Sequence, residues 1–125
     1  MTTHAHSAPL ETIWPAIYAE AQQLQAKEPA LAALVQSNIL GEKNLISVLA
    51  KILSAKLSCD VIAAKGLYEI FHEIYLSVPT LEQEALHDLA AIRQNDPASH
   101  DFITPLLFFK GFHALQSYRV SHVLW

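Results

Sequence analysis

Apolar residues return at i, i+3 and i+4 along nearly the whole chain, and no stretch alternates apolar and polar for long. That period belongs to a helix, which brings such positions to one face, whereas a half-buried strand repeats every second residue. Only three glycines are spread over 125 residues, too few for a fold built on tight hairpin turns. The expected fold is therefore all-α: a bundle of about six helices ending in a long amphipathic helix.

Capping residues set the expected boundaries. The first helix runs from Pro9 or Thr12 to Lys27, with Thr12 as N-cap, Pro15 in the first turn, and Trp14, Ile17, Ala21 and Leu24 on one face. Pro29 opens the second and Gly41 caps its end, with Leu31, Leu34 and Val35 inward. The third starts near Asn44 and buries Leu45, Val48, Leu49, Ile52, Leu53 and Leu57. Asp60 is the expected N-cap of the fourth, whose inward residues are Leu67, Ile70, Phe71 and Ile74, and Pro79 closes it. Thr80 and Gln83 have capping-box spacing and open a fifth through Leu81, Ala85, Leu89 and Ile92. After the turn formers of QNDPASHDFIT, Thr104 and Pro105 serve as N-cap and first residue of the sixth. Residues 1–9 are expected to be a flexible tail and residues 10–125 one domain. The last helix carries no stop signal before Trp125, which fits either a cut within a longer protein or a frayed natural terminus.

Charge narrows the partners. The net charge is −4 and Lys and Arg form no run, so neither a nucleic-acid backbone nor an anionic membrane is favoured. The last helix is too polar to span a bilayer, since Lys110, His113, Gln116, Arg119 and His122 interrupt it. Hydrophobic residues make up 52% and charged residues 16%, which implies a large core or a surface that meets another subunit. The single Cys59 excludes an internal disulfide, and the N-terminus lacks the pattern of a secretory signal, so a cytoplasmic location is expected.

Two E-x-x-H pairs, Glu69 with His72 and Glu84 with His87, have the spacing used by carboxylate-bridged di-iron bundles. Their azimuths point away from the apolar faces of their own helices, so both are expected on the surface and no metal site is assigned. His4 and His6 lie on the tail. Neither a phosphate-binding glycine loop nor a nucleophile motif is present, and no catalytic residue is assigned within this chain. The stripe Lys110, His113, Gln116, Arg119 and His122 recurs every third residue and so winds around its helix to meet different neighbours. Gly111 within it hints at close approach by another backbone. Asp96 precedes Pro97, where the chain is held extended; it is either a turn starter or a carboxylate projected from a fixed place.

TPLLFFKGFHALQSYRVSHVLW, residues 104–125, resembles the helix that ends the N-terminal region of serine O-acetyltransferases, above all in KGFHALQ. DLAAIRQNDPA is similar to the stretch before it, and EPALAALVQSNIL and LISVLAKILSAKLS look like the family's early helices. The resemblance implies the assembly domain of an enzyme that transfers acetyl from acetyl-CoA to L-serine, the first committed step of cysteine synthesis. A left-handed parallel β-helix bearing the catalytic histidine, its aspartate partner and the CoA site would follow, so this chain alone would be inactive. The resemblance further implies a homo-oligomer, a dimer of trimers, and association with O-acetylserine sulfhydrylase through a C-terminus absent here. No cofactor would be bound by this region; acetyl-CoA is a co-substrate of the whole enzyme. Asp96 would bind the serine amino group, in the pocket that cysteine uses for feedback inhibition, and Arg93 would brace the loop. Where the family usually has Arg before that Asp, Asn95 stands here. The competing reading is a non-catalytic helical oligomerisation module.

Overall fold

The computed structural model describes residues 9–59, 62–95 and 100–124. The expected tail with His4 and His6, the Asp60 cap, Asp96 and Trp125 lie outside the described residues. Among those described there are helices and connections and no strand. The seven α-helices are α1 (Ile13–Lys27), α2 (Ala32–Val35), α3 (Leu45–Leu57), α4 (Ala64–Ser77), α5 (Pro79–Asn95), α6 (Ile103–Phe108) and α7 (Lys110–Leu124). A 3₁₀ turn precedes α1 at Leu10–Thr12, another precedes α2 at Pro29–Leu31, and α2 runs on into a π-turn at Gln36–Leu40.

One apolar cluster joins the elements. Ile13, Ile17 and Ala21, spaced by four, form the buried ridge of α1. α3 is central: Leu45, Val48, Leu49, Ala50, Ile52 and Leu53 are all buried, and α3 and α4 form the most extensive helix pair. Its start is fixed by a capping box in which Ser47 N–H donates to Asn44 Oδ1 at 3.0 Å and Asn44 N–H donates to Ser47 Oγ at 3.5 Å.

Several expected positions are corrected. Leu34 is exposed while Val35 and Ile39 are buried, because the segment from Pro29 passes through 3₁₀, α and π geometry and leaves a uniform helical register. Leu57, at the end of α3, is likewise exposed. On α4, Phe71 and Tyr75 are buried and Ile70 is not. Phe71 and Tyr75 lie about 40° apart around the helix whereas Ile70 lies about 100° to the other side of Phe71, so a face centred on the tyrosine turns Ile70 outward.

Gly41 closes the π-turn without left-handed geometry: its φ is −81°, and its N–H donates to Gln36 O at 2.9 Å. A Cβ there would meet that same oxygen at 3.1 Å, so close approach, not a positive φ, favours glycine. α4 begins after Ala63 with no side-chain cap. Pro79 is itself the first residue of α5, which places Thr80 inside the helix and not at a capping box.

The expected last helix is two helices. Phe109, at φ −84° and ψ 107°, separates α6 from α7. Thr104 is not the cap of α6: its N–H and hydroxyl both donate to the Asp101 carboxylate, at 3.0 and 3.1 Å. A Cβ on Gly111 would meet nothing within 4 Å, so the expected close backbone contact is not found.

Candidate functional site

The connection between α5 and α6 contains the position singled out from sequence, and the described residues on its two sides are tied to one another and to α1. Arg93, in the last turn of α5, places its guanidinium 4.4 Å from the centre of the Phe102 ring, a cation–π contact that joins the two flanks. From α1, one carboxylate oxygen of Glu20 accepts the N–H groups of Phe102 and Ile103 at 3.0 and 3.1 Å. Those two donors open α6, where the first N–H groups of a helix lack internal partners. Burial raises the Glu20 carboxyl above its ordinary range, and the neighbouring Asp101 adds to this, while the two N–H donors and Arg93 oppose it.

The winding stripe on α7 divides as its rotation requires. Lys110 and His122 are exposed, while His113 and Gln116 are buried at 3% and 1% exposure, deep enough that their polar atoms need partners. Gln116 Nε2 donates to Asp88 Oδ2 on α5 at 2.6 Å. Arg119 Nη1 donates to the same oxygen and, at 3.3 Å, to Gln116 Oε1. Its Nε lies 3.7 Å from the Glu84 carboxylate, so one network ties α5 to α7.

His113 repairs the break at Phe109. Its Nε2 lies 2.6 Å from Leu106 O, the carbonyl that residue 110 would engage in an unbroken helix. A carbonyl only accepts, so Nε2 carries the hydrogen and Nδ1 is left buried without a partner. Burial lowers the imidazole's affinity for a proton and nearby Lys56 lowers it further, against the Leu106 hydrogen bond. The unfolded chain therefore takes up a proton as pH falls through about 6.5 while the folded chain resists it, and stability contributed by neutral His113 is lost below that pH. His113→Gln, which keeps a donor for Leu106, is expected to show a smaller fall in melting temperature between pH 7 and pH 5 than the parent. Parallel curves would refute this.

The E-x-x-H pairs do other things. Glu84 faces Arg119, His72 stacks on Tyr68 with ring centres 5.5 Å apart, and Glu69 and His87 are exposed. Among the described residues, no three His, Cys, Asp or Glu side chains gather as a metal site. Glu20 and Asp88 were not picked out from sequence, and Asp101 only as one of the turn formers. Asp101 with Thr104 three residues on is a legible N-terminal capping pattern, whereas Glu20 acts across more than 80 residues and leaves no local signature.

The family described as "Serine acetyltransferase, N-terminal" matches residues 13–117. The serine acetyltransferase of Haemophilus influenzae is 43% identical over 113 residues, which is 90% of this chain and 42% of that protein. A structure titled as a serine acetyltransferase complex with CoA is 43% identical with a TM-score of 0.89, over 91% of this chain and 48% of that one. The Neisseria gonorrhoeae serine acetyltransferase in complex with serine is 35% identical with a TM-score of 0.88, over 98% of this chain and 50% of that one. This chain thus spans less than half the length of the curated relatives it matches. Agreement in sequence and in helix arrangement, both across about nine-tenths of its residues, makes the chain a member of the serine acetyltransferase N-terminal family.

Proposed function

We propose that this chain is the helical N-terminal region of a serine O-acetyltransferase, contributing oligomer contacts and a serine-binding carboxylate. The observation that carries the reading is the match to a serine-bound relative over 98% of the chain. In the reaction, a histidine general base takes the proton of the serine hydroxyl, the oxygen attacks the acetyl thioester carbonyl, and CoA leaves as O-acetylserine forms. That base, its aspartate partner and the CoA site belong to a β-helix region beyond these residues, so the chain by itself is inactive. Asp96 binds the serine ammonium, for which a carboxylate supplies charge-assisted acceptors, and Arg93 braces the connection. Cation–π contact between Arg93 and Phe102 supports the second role.

The assembly in this reading is a dimer of trimers, with O-acetylserine sulfhydrylase as a partner recognising a C-terminus outside this chain. The location is the cytoplasm; no helix among the described residues is long and apolar enough to cross a membrane. Exposed Ile70, Leu76, Tyr118 and Leu124 are consistent with contacts to other subunits.

The test is Asp96→Ala in the full-length protein. Loss of one charge-assisted contact to the ammonium is expected to raise the serine KM by about 10- to 100-fold with the oligomer and the acetyl-CoA KM unchanged. Unchanged serine kinetics would remove Asp96 from the site and leave this region the oligomer contacts alone.

A further inference from the structure

We propose that His113 is a pH-operated latch on the joint between α6 and α7: the neutral ring closes the joint at Phe109, and a proton on the ring frees residues 107–113 while the rest of the domain stays folded. The opening is local, and so differs from the loss of overall stability on acidification described above.

Three features carry it. First, the backbone does not close the joint by itself. Among the described residues no N–H of α7 donates to a carbonyl of α6; the two ladders meet at Phe109, whose N–H donates to Pro105 O at 3.2 Å and whose carbonyl accepts the His113 N–H at 3.1 Å. The His113 ring, reaching back to Leu106 O, supplies the bond that the break removes. Second, the joint is open to water and its flanks are anchored. Residues 107–111 are half-buried or exposed, with Phe108 at 50%, whereas Leu106 has no exposed surface and Gln116 is held by Asp88. An opening confined between those anchors breaks few buried contacts and costs less than unfolding the core. Third, the closed joint has no place for a second ring proton. A proton on Nδ1 would strengthen the bond from Nε2 to Leu106 O, but it puts a charge and an unmet N–H where Nδ1 is buried without a partner. Among the described residues the charged group acting on the ring is Lys56 of α3, which has the same sign. No group of α4 acts on it, and the α5 carboxylates Glu84 and Asp88 face Arg119 and Gln116 instead. Burial outweighs the Leu106 bond, so the closed joint keeps the ring neutral to lower pH than water does.

Once the joint is open, the solvated ring takes a proton at about pH 6.5, and below that pH opening becomes more frequent by up to about tenfold per pH unit until the closed ring titrates as well. The test is amide hydrogen exchange of the full-length protein at pH 7.5 and 5.5, read by peptide mass spectrometry and corrected for the intrinsic effect of pH on exchange. Peptides spanning residues 107–113 are expected to exchange about five- to tenfold faster at pH 5.5, while peptides of α3 and of residues 116–124 keep their rates. His113→Gln keeps a donor for Leu106 O and takes up no proton, so its joint should exchange slowly at both pH values. His113→Met gives up the donor and the proton together, so its joint should exchange fast at both; it decides the point where the Gln variant does not fold. A joint that exchanges at the same corrected rate at both pH values in the parent overturns the proposal. So does a pH-dependent gain that persists in either variant. Acceleration of α3 in step with the joint also overturns it, since His113 then acts on the stability of the whole domain and not on a latch.

Discussion

Leu49→Ala is expected to lower the stability of this domain by about 3 to 5 kcal/mol, near the upper end of the range for buried leucines. Leu49 has no exposed surface, and on its helix Leu45, Val48, Ala50, Ile52 and Leu53 are buried as well. α3 packs against α4, the π-turn and α7, so a hole at its centre is walled by several elements and cannot close by moving one of them. For a chain of this length that loss corresponds to a melting temperature lower by roughly 12 to 25 °C. Leu57→Ala supplies the contrast. That leucine is on the same helix and fits the same apolar spacing, yet it is 46% exposed and its truncation should change stability by about 0.5 kcal/mol. Urea denaturation of the two variants beside the parent checks both numbers. Equal losses at positions 49 and 57 would contradict the placement of α3.

Leu57 also shows what periodicity can and cannot say. Spacing in the sequence identifies which residues share a helix face, and it located α1, α3, α4 and α5 because each repeats an apolar pattern over three or more turns. It does not say where along that face the neighbours stop. Ile70 was expected inward and Tyr75 was not considered, because on an apolar scale isoleucine outranks tyrosine; the buried face takes Tyr75 and leaves Ile70 46% exposed. The split between α6 and α7 was hidden more thoroughly. Nothing in LLFFKGF breaks a helix outright, and the compensation for the break, the His113 ring on Leu106 O, is a contact between residues seven apart. As for the candidate site, the turn formers marked the connection, and Arg93 entered only through the family resemblance. The Glu20 contacts with Phe102 and Ile103 were out of reach, because a residue on the first helix gives no sign of which distant amides it will meet. Membership of the family, by contrast, was legible in contiguous strings such as KGFHALQ, which need no knowledge of tertiary contacts.

Asp88→Ala should cost about 3 kcal/mol although the residue is not fully buried, since breaking a desolvated charge network by removing one partner strands the others. The side chains of Asp88 and Arg119 are each 23% exposed, and Gln116 is 1% exposed. Both Gln116 Nε2 and Arg119 Nη1 donate to the same Asp88 oxygen. Without it, the buried amide loses its 2.6 Å acceptor and the guanidinium is left with Gln116 Oε1 at 3.3 Å and the more exposed Glu84 at 3.7 Å. Water cannot reach the amide freely, so its desolvation is not recovered. Asp88→Asn keeps an acceptor oxygen without the charge and should lose roughly half as much, since a hydrogen bond to a neutral acceptor is worth about half of a charged one. The decisive comparison is Gln116→Leu in the Asp88→Ala background, where the stranded donor is gone. There the double variant should be more stable than the sum of the single losses predicts by about 1 to 2 kcal/mol. Additive losses would show that Asp88 and Gln116 act independently, and the network joining α5 to α7 would have no energetic meaning.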